Sequence, residues 1–329
     1  MKKIINNTES IVLEMCEGIV KAHPELSLIP RYQIIKRKEI DPNKVALVSG
    51  GGSGHEPAHA GFVGPGMLTA AVCGDVFASP STTQVYNALD DVQTDKGILL
   101  IIKNYSGDCM NFEAAAEMAE DDDVKVECVY VNDDVAGEHS RYTVGRRGVA
   151  GTMFVHKIAG AAAEAGKDLQ EVKGLAQKTI KQMKSIGIAL NSCTVPAKGT
   201  PTFELGEDEI EFGVGIHGEP GIQRQKIGTA DEMAKQMLDK VLKELDLGQG
   251  KDCALMVNGL GATPLMELYL LNNSIGKQLE EKGIKVYKTF VGNYMTALDM
   301  AGASITVLAL DDELKQYLDA PVQTPGLKQ

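Results

Sequence analysis

A chain of 329 residues exceeds the usual size of one hydrophobic core, so two domains are expected. With 43% hydrophobic and 24% charged residues it has the composition of a globular enzyme, and no run approaches the ~20 apolar residues that span a bilayer. The net charge of −12 argues against a nucleic-acid backbone as partner.

The start, Met1 to Asn7, lacks the apolar core of a signal peptide. Six scattered cysteines (Cys16, Cys73, Cys109, Cys128, Cys193, Cys253) without a C-x-x-C pair read as free thiols of a reducing cytosol. A cytoplasmic protein without a membrane anchor is therefore expected.

Ile11, Val12, Met15, Ile19 and Val20 stripe one face of a helix over 9–21 that Thr8 caps. Val45–Ser49 reads as a short buried strand, and Ile98–Ile102 as a central parallel strand covered on both faces. A helix over 110–120 and a strand over 124–131 follow, and 133–148 reads as a polar loop. Helices are expected at 149–165 and 168–184, with the second domain opening at Ile186–Leu190. Beyond it the pattern predicts strands at 209–216, 253–258, 285–291 and 304–309, and helices near 230–245, 264–282 and 312–318. Residues 321–326 read as an irregular tail. The fold class is thus α/β, with a doubly wound, mainly parallel first sheet in 1–183 and a smaller mixed-sheet α/β domain in 184–329.

Two segments carry chemistry. Gly213-Val214-Gly215-Ile216-His217-Gly218-Glu219-Pro220-Gly221 frames an imidazole with glycines, Gly215 and Gly218 clearing space on both sides of it. Gly50-Gly51-Gly52-Ser53-Gly54-His55-Glu56-Pro57 repeats the idea after a strand, as a bare loop whose amides suit a small polar substrate or an anion. Two such histidines, each followed by Glu-Pro, suggest one site assembled from distant parts of the chain. The glycine loop has neither Walker nor dinucleotide-binding spacing.

His55-Glu56-Pro57-Ala58-His59 matches H-E-x-x-H, but Pro57 opposes the helix which that zinc motif requires, and the metal reading is set aside. Asp108, after the 98–102 strand, is either a helix cap or a general base with Lys103 nearby. His217 as neutral imidazole can add to a ketone or aldehyde carbon. His23, His139 and His156 lack such framing and read as structural or surface residues. Arg146-Arg147 leave phosphate, partner and solvent all open.

These residues resemble the K subunit of dihydroxyacetone kinase, in its bacterial phosphotransferase-system form, over essentially the whole chain. The most specific pieces are Ser49–Pro57, Leu100–Tyr105, Gly145–Val149, Phe212–Gly221 and Leu260–Pro264. The resemblance implies that Gly52, Ser53, Gly54 and His55 bind dihydroxyacetone with Lys103 and Asp108. It implies too that His217 holds the substrate as a hemiaminal, Asp108 takes the hydroxyl proton and His55 is an acid/base partner. No cofactor is then expected on this chain. ADP and Mg2+ would sit on a separate L subunit recharged through a phosphotransferase-system protein, and the chain would form a homodimer. The alternative is a paralogue that senses dihydroxyacetone as a transcriptional co-activator.

Overall fold

The computed structural model describes residues 2–136 and 145–329. They form two compact units, the first from 2–131, 152–180 and 314–329, the second from 132–136, 145–151 and 181–313. The expectation of His139 as structural or surface lies outside the described residues.

In the first unit, α1 (Ile11–Ala22), β1 (Leu26–Ile29), β2 (Ile34–Arg37), β3 (Ala46–Ser53) and β4 (Ala70–Val76) lead to α2 (Thr82–Val92). Then come β5 (Ile98–Lys103), α3 (Ser106–Asp121), β6 (Val126–Val131), α4 (Thr152–Glu164) and α5 (Leu169–Gln182). The sheet order is β1-β2-β4-β3-β5-β6. β4, β3, β5 and β6 run parallel, and β2 and β1 add antiparallel strands at one edge. Alternation along the central strands sorts the core: Ala46, Val48, Ile98, Leu100 and Ile102 face α2 and α3 residues such as Val85, Leu89 and Phe112. Helix α4 contacts β3 and β5, and its residues Thr152 to Ala163 are all buried. With no solvated strand face, β5 reads as an unbroken apolar run.

The second unit holds β7 (Met183–Ala189), β8 (Glu209–Phe212), β9 (Gln223–Lys226), α6 (Ala230–Leu242) and β10 (Asp252–Gly259). It continues with α7 (Leu265–Glu281), β11 (Lys285–Gly292) and β12 (Gly302–Leu310), before α8 (Asp312–Asp319). Its six strands are ordered β11-β10-β12-β7-β8-β9, with β10 and β11 parallel and the other neighbours antiparallel. Ile186, Ile188, Leu255, Val257, Ile305 and Val307 pack against Met237, Leu238, Ile275 and Leu279 of α6 and α7. Both sheets are mixed and both carry helices, so the chain is α/β throughout.

This division differs from a single cut near residue 183, and hydrogen bonds explain why. The buried Asp133 carboxylate accepts from the amides of Val149 and Gly151 and from Ser185 Oγ, tying the 132–151 segment to β7 of the second unit. At the other end, the buried Lys157 ammonium of α4 donates to the carbonyls of Tyr317 and Ala320 at 2.8 Å. Gln323 and Gly326 donate amides to Pro65 and Gly61, so 314–329 belongs with the first unit.

Candidate functional site

In the first unit the glycine-rich segment is strand, not loop. β3 continues to Ser53, and Gly50, Gly51 and Gly52 lie beside Val72, Cys73 and Gly74 of β4. A cradle of freely converging amides is therefore not what these glycines make. They admit close neighbours instead. A Cβ on Gly52 would sit 2.6 Å from the Ala78 nitrogen, and one on Gly51 would overlap the Lys103 ammonium. Gly51 also has φ +151°, a conformation in which side chains are rarely found. Ser53 Oγ donates to the Gly74 carbonyl at 2.7 Å. Only Gly54, at φ +104°, leaves the strand, and its amide donates to both carboxylate oxygens of Glu56 at 3.1 Å. Burial raises the Glu56 pKa against those bonds.

His55 is fully buried, its ring stacked on Phe77 at 5.1 Å between centroids. Phe77 sits at φ +59°, an uncommon conformation for a bulky residue, so the backbone is strained where that ring is presented to His55.

Lys103 closes β5 with no exposed surface, and its Nζ donates to Asp108 Oδ2 at 3.0 Å. Asp108 stands in the first turn of α3, where aligned amide dipoles favour a carboxylate. The cap position is Tyr105, which makes no side-chain cap bond, so Asp108 is not the helix cap. Gly52, Ser53, Gly54, His55, Lys103 and Asp108 thus all lie in one unit, with the Lys103–Asp108 pair against the Gly51 backbone.

Behind this pair lies a group that the sequence did not signal. His59 Nδ1 is 2.9 Å from His156 Nε2 of α4 and 3.4 Å from Ser49 Oγ, which itself donates to the Ile101 carbonyl. Burial, then the nearby Lys103 charge, holds His59 well below the ordinary histidine pKa and pushes His156 down to about 3. Both rings are therefore neutral. Residues 55–59 run as turns, so the H-E-x-x-H spacing does not fall on a helix and its helical zinc geometry is absent.

His217 belongs to the second unit. β8 ends at Phe212, shorter than expected, because Gly213 turns the chain at φ +78°. His217 follows in a bend and is half-buried. The glycines around it leave less open space than their number suggests. A Cβ on Gly215 would overlap the Glu219 carboxylate and come within 2.7 Å of Arg147 Nη1, and one on Gly218 would lie 2.8 Å from Cys193 Sγ. Glu219 Oε2 accepts the His217 amide at 2.5 Å, and its Oε1 pairs with Arg147 at 3.0 Å. Arg147 is buried, bonded also to Asp134 and to the Gly213 carbonyl, so it does not face solvent. Arg146 pairs with Glu244. The two Glu-Pro pairs share one function: each glutamate folds back to hold the amide two residues before it.

The chain belongs to the Dak1 domain family, whose model matches residues 17–326. Among relatives it is 53% identical over 326 residues to the PTS-dependent dihydroxyacetone kinase 1, dihydroxyacetone-binding subunit DhaK, of Listeria innocua, covering 98% of this chain and 99% of that one. Among solved structures it matches the dihydroxyacetone kinase of C. freundii with TM-score 0.92 at 37% identity, over 99% of this chain and 60% of that one. A dihydroxyacetone kinase operon co-activator, Dha-DhaQ, matches with TM-score 0.90 at 37% identity, over 95% and 96%.

Proposed function

We propose that this chain is the dihydroxyacetone-binding subunit of a phosphotransferase that converts dihydroxyacetone to its phosphate. The observation that carries the reading is the 53% identity, end to end, with a subunit named for that activity. A ring nitrogen of His217 adds to the carbonyl carbon of the ketone. The carbonyl π pair moves to oxygen, which gains a proton as the imidazole loses its own, leaving a neutral hemiaminal. Glycerol has no carbonyl and is excluded on that ground rather than by hydroxyl count. Covalent capture also exchanges bimolecular freedom for orientation of the terminal hydroxyl. Asp108 accepts that hydroxyl's proton as the phosphoryl group arrives, its carboxylate held in place by the Lys103 ammonium, and His55 hydrogen-bonds the adduct as acid/base partner. Gly52, Ser53 and Gly54 border the bound sugar. The phosphoryl group comes from ADP-bound L subunit, with Mg2+, recharged by the phosphotransferase system. The working form is a cytoplasmic homodimer.

Intact-protein mass spectrometry tests this directly. Wild-type protein should gain the mass of one dihydroxyacetone and nothing from glycerol, and His217→Ala should gain neither. An adduct surviving in His217→Ala would move the nucleophile elsewhere.

A second reading, a dihydroxyacetone-sensing co-activator, is favoured by the likeness to Dha-DhaQ. Reconstitution with a competent L subunit and phosphodonor separates the two. Dihydroxyacetone phosphate is the expected product, and its absence together with binding to a transcription factor would favour the co-activator.

A further inference from the structure

The loop bearing His217 is held by a chain of charge-assisted bonds contained entirely in the second unit. At its base Asp134, 1% exposed, receives Arg147 Nε at 2.7 Å and Arg147 Nη2 at 2.6 Å on Oδ2, while its Oδ1 accepts the Ala136 amide at 2.9 Å. The backbone repeats the link, with the Asp134 amide donating to the Arg147 carbonyl at 3.1 Å. Arg147 passes the load on. Nη2 donates to the Gly213 carbonyl at 2.9 Å, at the point where the chain leaves β8, and Nη1 donates to Glu219 Oε1 at 3.0 Å. Glu219 Oε2 then takes the His217 amide.

A planar guanidinium anchored on Asp134 holds two points of the 213–219 turn directly, the Gly213 carbonyl and the Glu219 carboxylate, and a third, the His217 amide, through Glu219. Gly215 is the steric condition for this arrangement, because any side chain there would occupy the space of the Glu219 carboxylate and the Arg147 guanidinium. The turn has its own backbone means in Gly213 and Gly218, at φ +78° and +77°. A plain structural turn also seldom needs a buried arginine between two acids. Taking such charges out of water is costly, and the arrangement is stable only when the pairing is well made.

The geometry points to Glu219 and Arg147 as positioning residues that hold the His217 backbone, and so the place from which its side chain starts, for attack on the ketone carbon. This rests on the reading of His217 as nucleophile. A side chain free to swing would still add to the ketone, but it would lose the advantage of orientation, which is where much of the rate and equilibrium of an intramolecularly placed group comes from. In Glu219→Gln the amide oxygen can still accept the His217 N–H, at the expense of the Arg147 bond to the second oxygen, whereas Glu219→Ala removes both bonds.

Two readouts on full-length protein test the clamp separately from the chemistry. The first is hydrogen exchange of peptides spanning 213–221 without ligand. Glu219→Ala should exchange there at least tenfold faster than wild type, Glu219→Gln should recover most of the protection, and peptides of β10 and β12 should be unchanged. The second is the dihydroxyacetone dose needed for half-maximal mass adduct. It should rise at least tenfold in Glu219→Ala and recover in Glu219→Gln. Unchanged exchange in Glu219→Ala would overturn the clamp whatever the adduct does. An unchanged dose in a protein that forms the adduct would overturn its bearing on His217. Absence of adduct in wild type, with the exchange pattern as expected, would instead count against the nucleophile and leave a clamp around a histidine of other use.

Discussion

At the scale of single residues, two glycines of the candidate site make room for charged groups. Gly51 is the sharpest case, a positive-φ residue within β3 whose missing side chain leaves the space that the Lys103 ammonium fills. Gly51→Ala would both strain the backbone and push Lys103 off Asp108. A loss of about 1–3 kcal/mol in stability is expected, with weakened dihydroxyacetone capture, read from the urea midpoint and the adduct dose. An unchanged midpoint would show that Lys103 has another place to go. The same logic covers Gly215, where the neighbours are Glu219 and Arg147. The sequence showed where glycines cluster but not what fills the space beside them, because Lys103 lies 52 positions from Gly51 and Arg147 lies 68 positions from Gly215.

At the scale of elements, the sequence was most readable where burial is two-sided or periodic. β5 and α1 fall within a residue or two of the pattern, since an unbroken apolar run and a 3.6-residue stripe each admit one solution. β1, β2, β4 and β9 were not anticipated. β4 is built largely of alanine, cysteine and glycine, and the four-residue β1, β2 and β9 are too short for a period to emerge. α2 was missed despite a usable signal. Ser81 and Gln84 form a reciprocal capping box ahead of Val85, Ala88, Leu89 and Val92. Ser81→Ala should cost about 1 kcal/mol, measured by thermal unfolding, and a variant as stable as wild type would assign the start of α2 to packing alone. Of the candidate site, the sequence singled out His55, Asp108 and His217 by their glycine-framed, strand-end settings. The Phe77 stacking and the His59–His156 pairing did not show there: Phe77 and His156 lie in no motif, His59 entered only through the H-E-x-x-H spacing, and tertiary packing alone gives them these partners.

For the whole molecule the buried histidines matter most when the solution is acidified. His156 titrates near 3 in the folded chain against 6.5 for an ordinary histidine, and His59 is displaced the same way. Below pH 6.5 the unfolded chain therefore takes up protons that the folded one refuses. Stability from these rings is complete above 6.5 and falls as pH drops toward 3, by ~1.4 kcal/mol per pH unit for each histidine. Asp134, raised to about 6 by burial despite Arg147, works in the opposite sense between its ordinary value of 3.8 and 6, and Glu56 and Asp133 are raised too. The clean measurement is a difference. Between pH 6 and 4, stability of His156→Gln should fall with pH less steeply than wild type by ~1.4 kcal/mol per unit. Parallel lines from urea titrations would mean that His156 takes its proton while folded.

The interleaved division has a further consequence for a chain emerging from the ribosome. The sheet made first, β1 to β6, must wait for α4 and α5, and then for residues 314–329, which are translated only after β7 to β12 are out. The unit that begins the chain is thus the later one to be finished. Until then the Lys157 ammonium lacks the carbonyls of Tyr317 and Ala320 that it bonds in the finished unit.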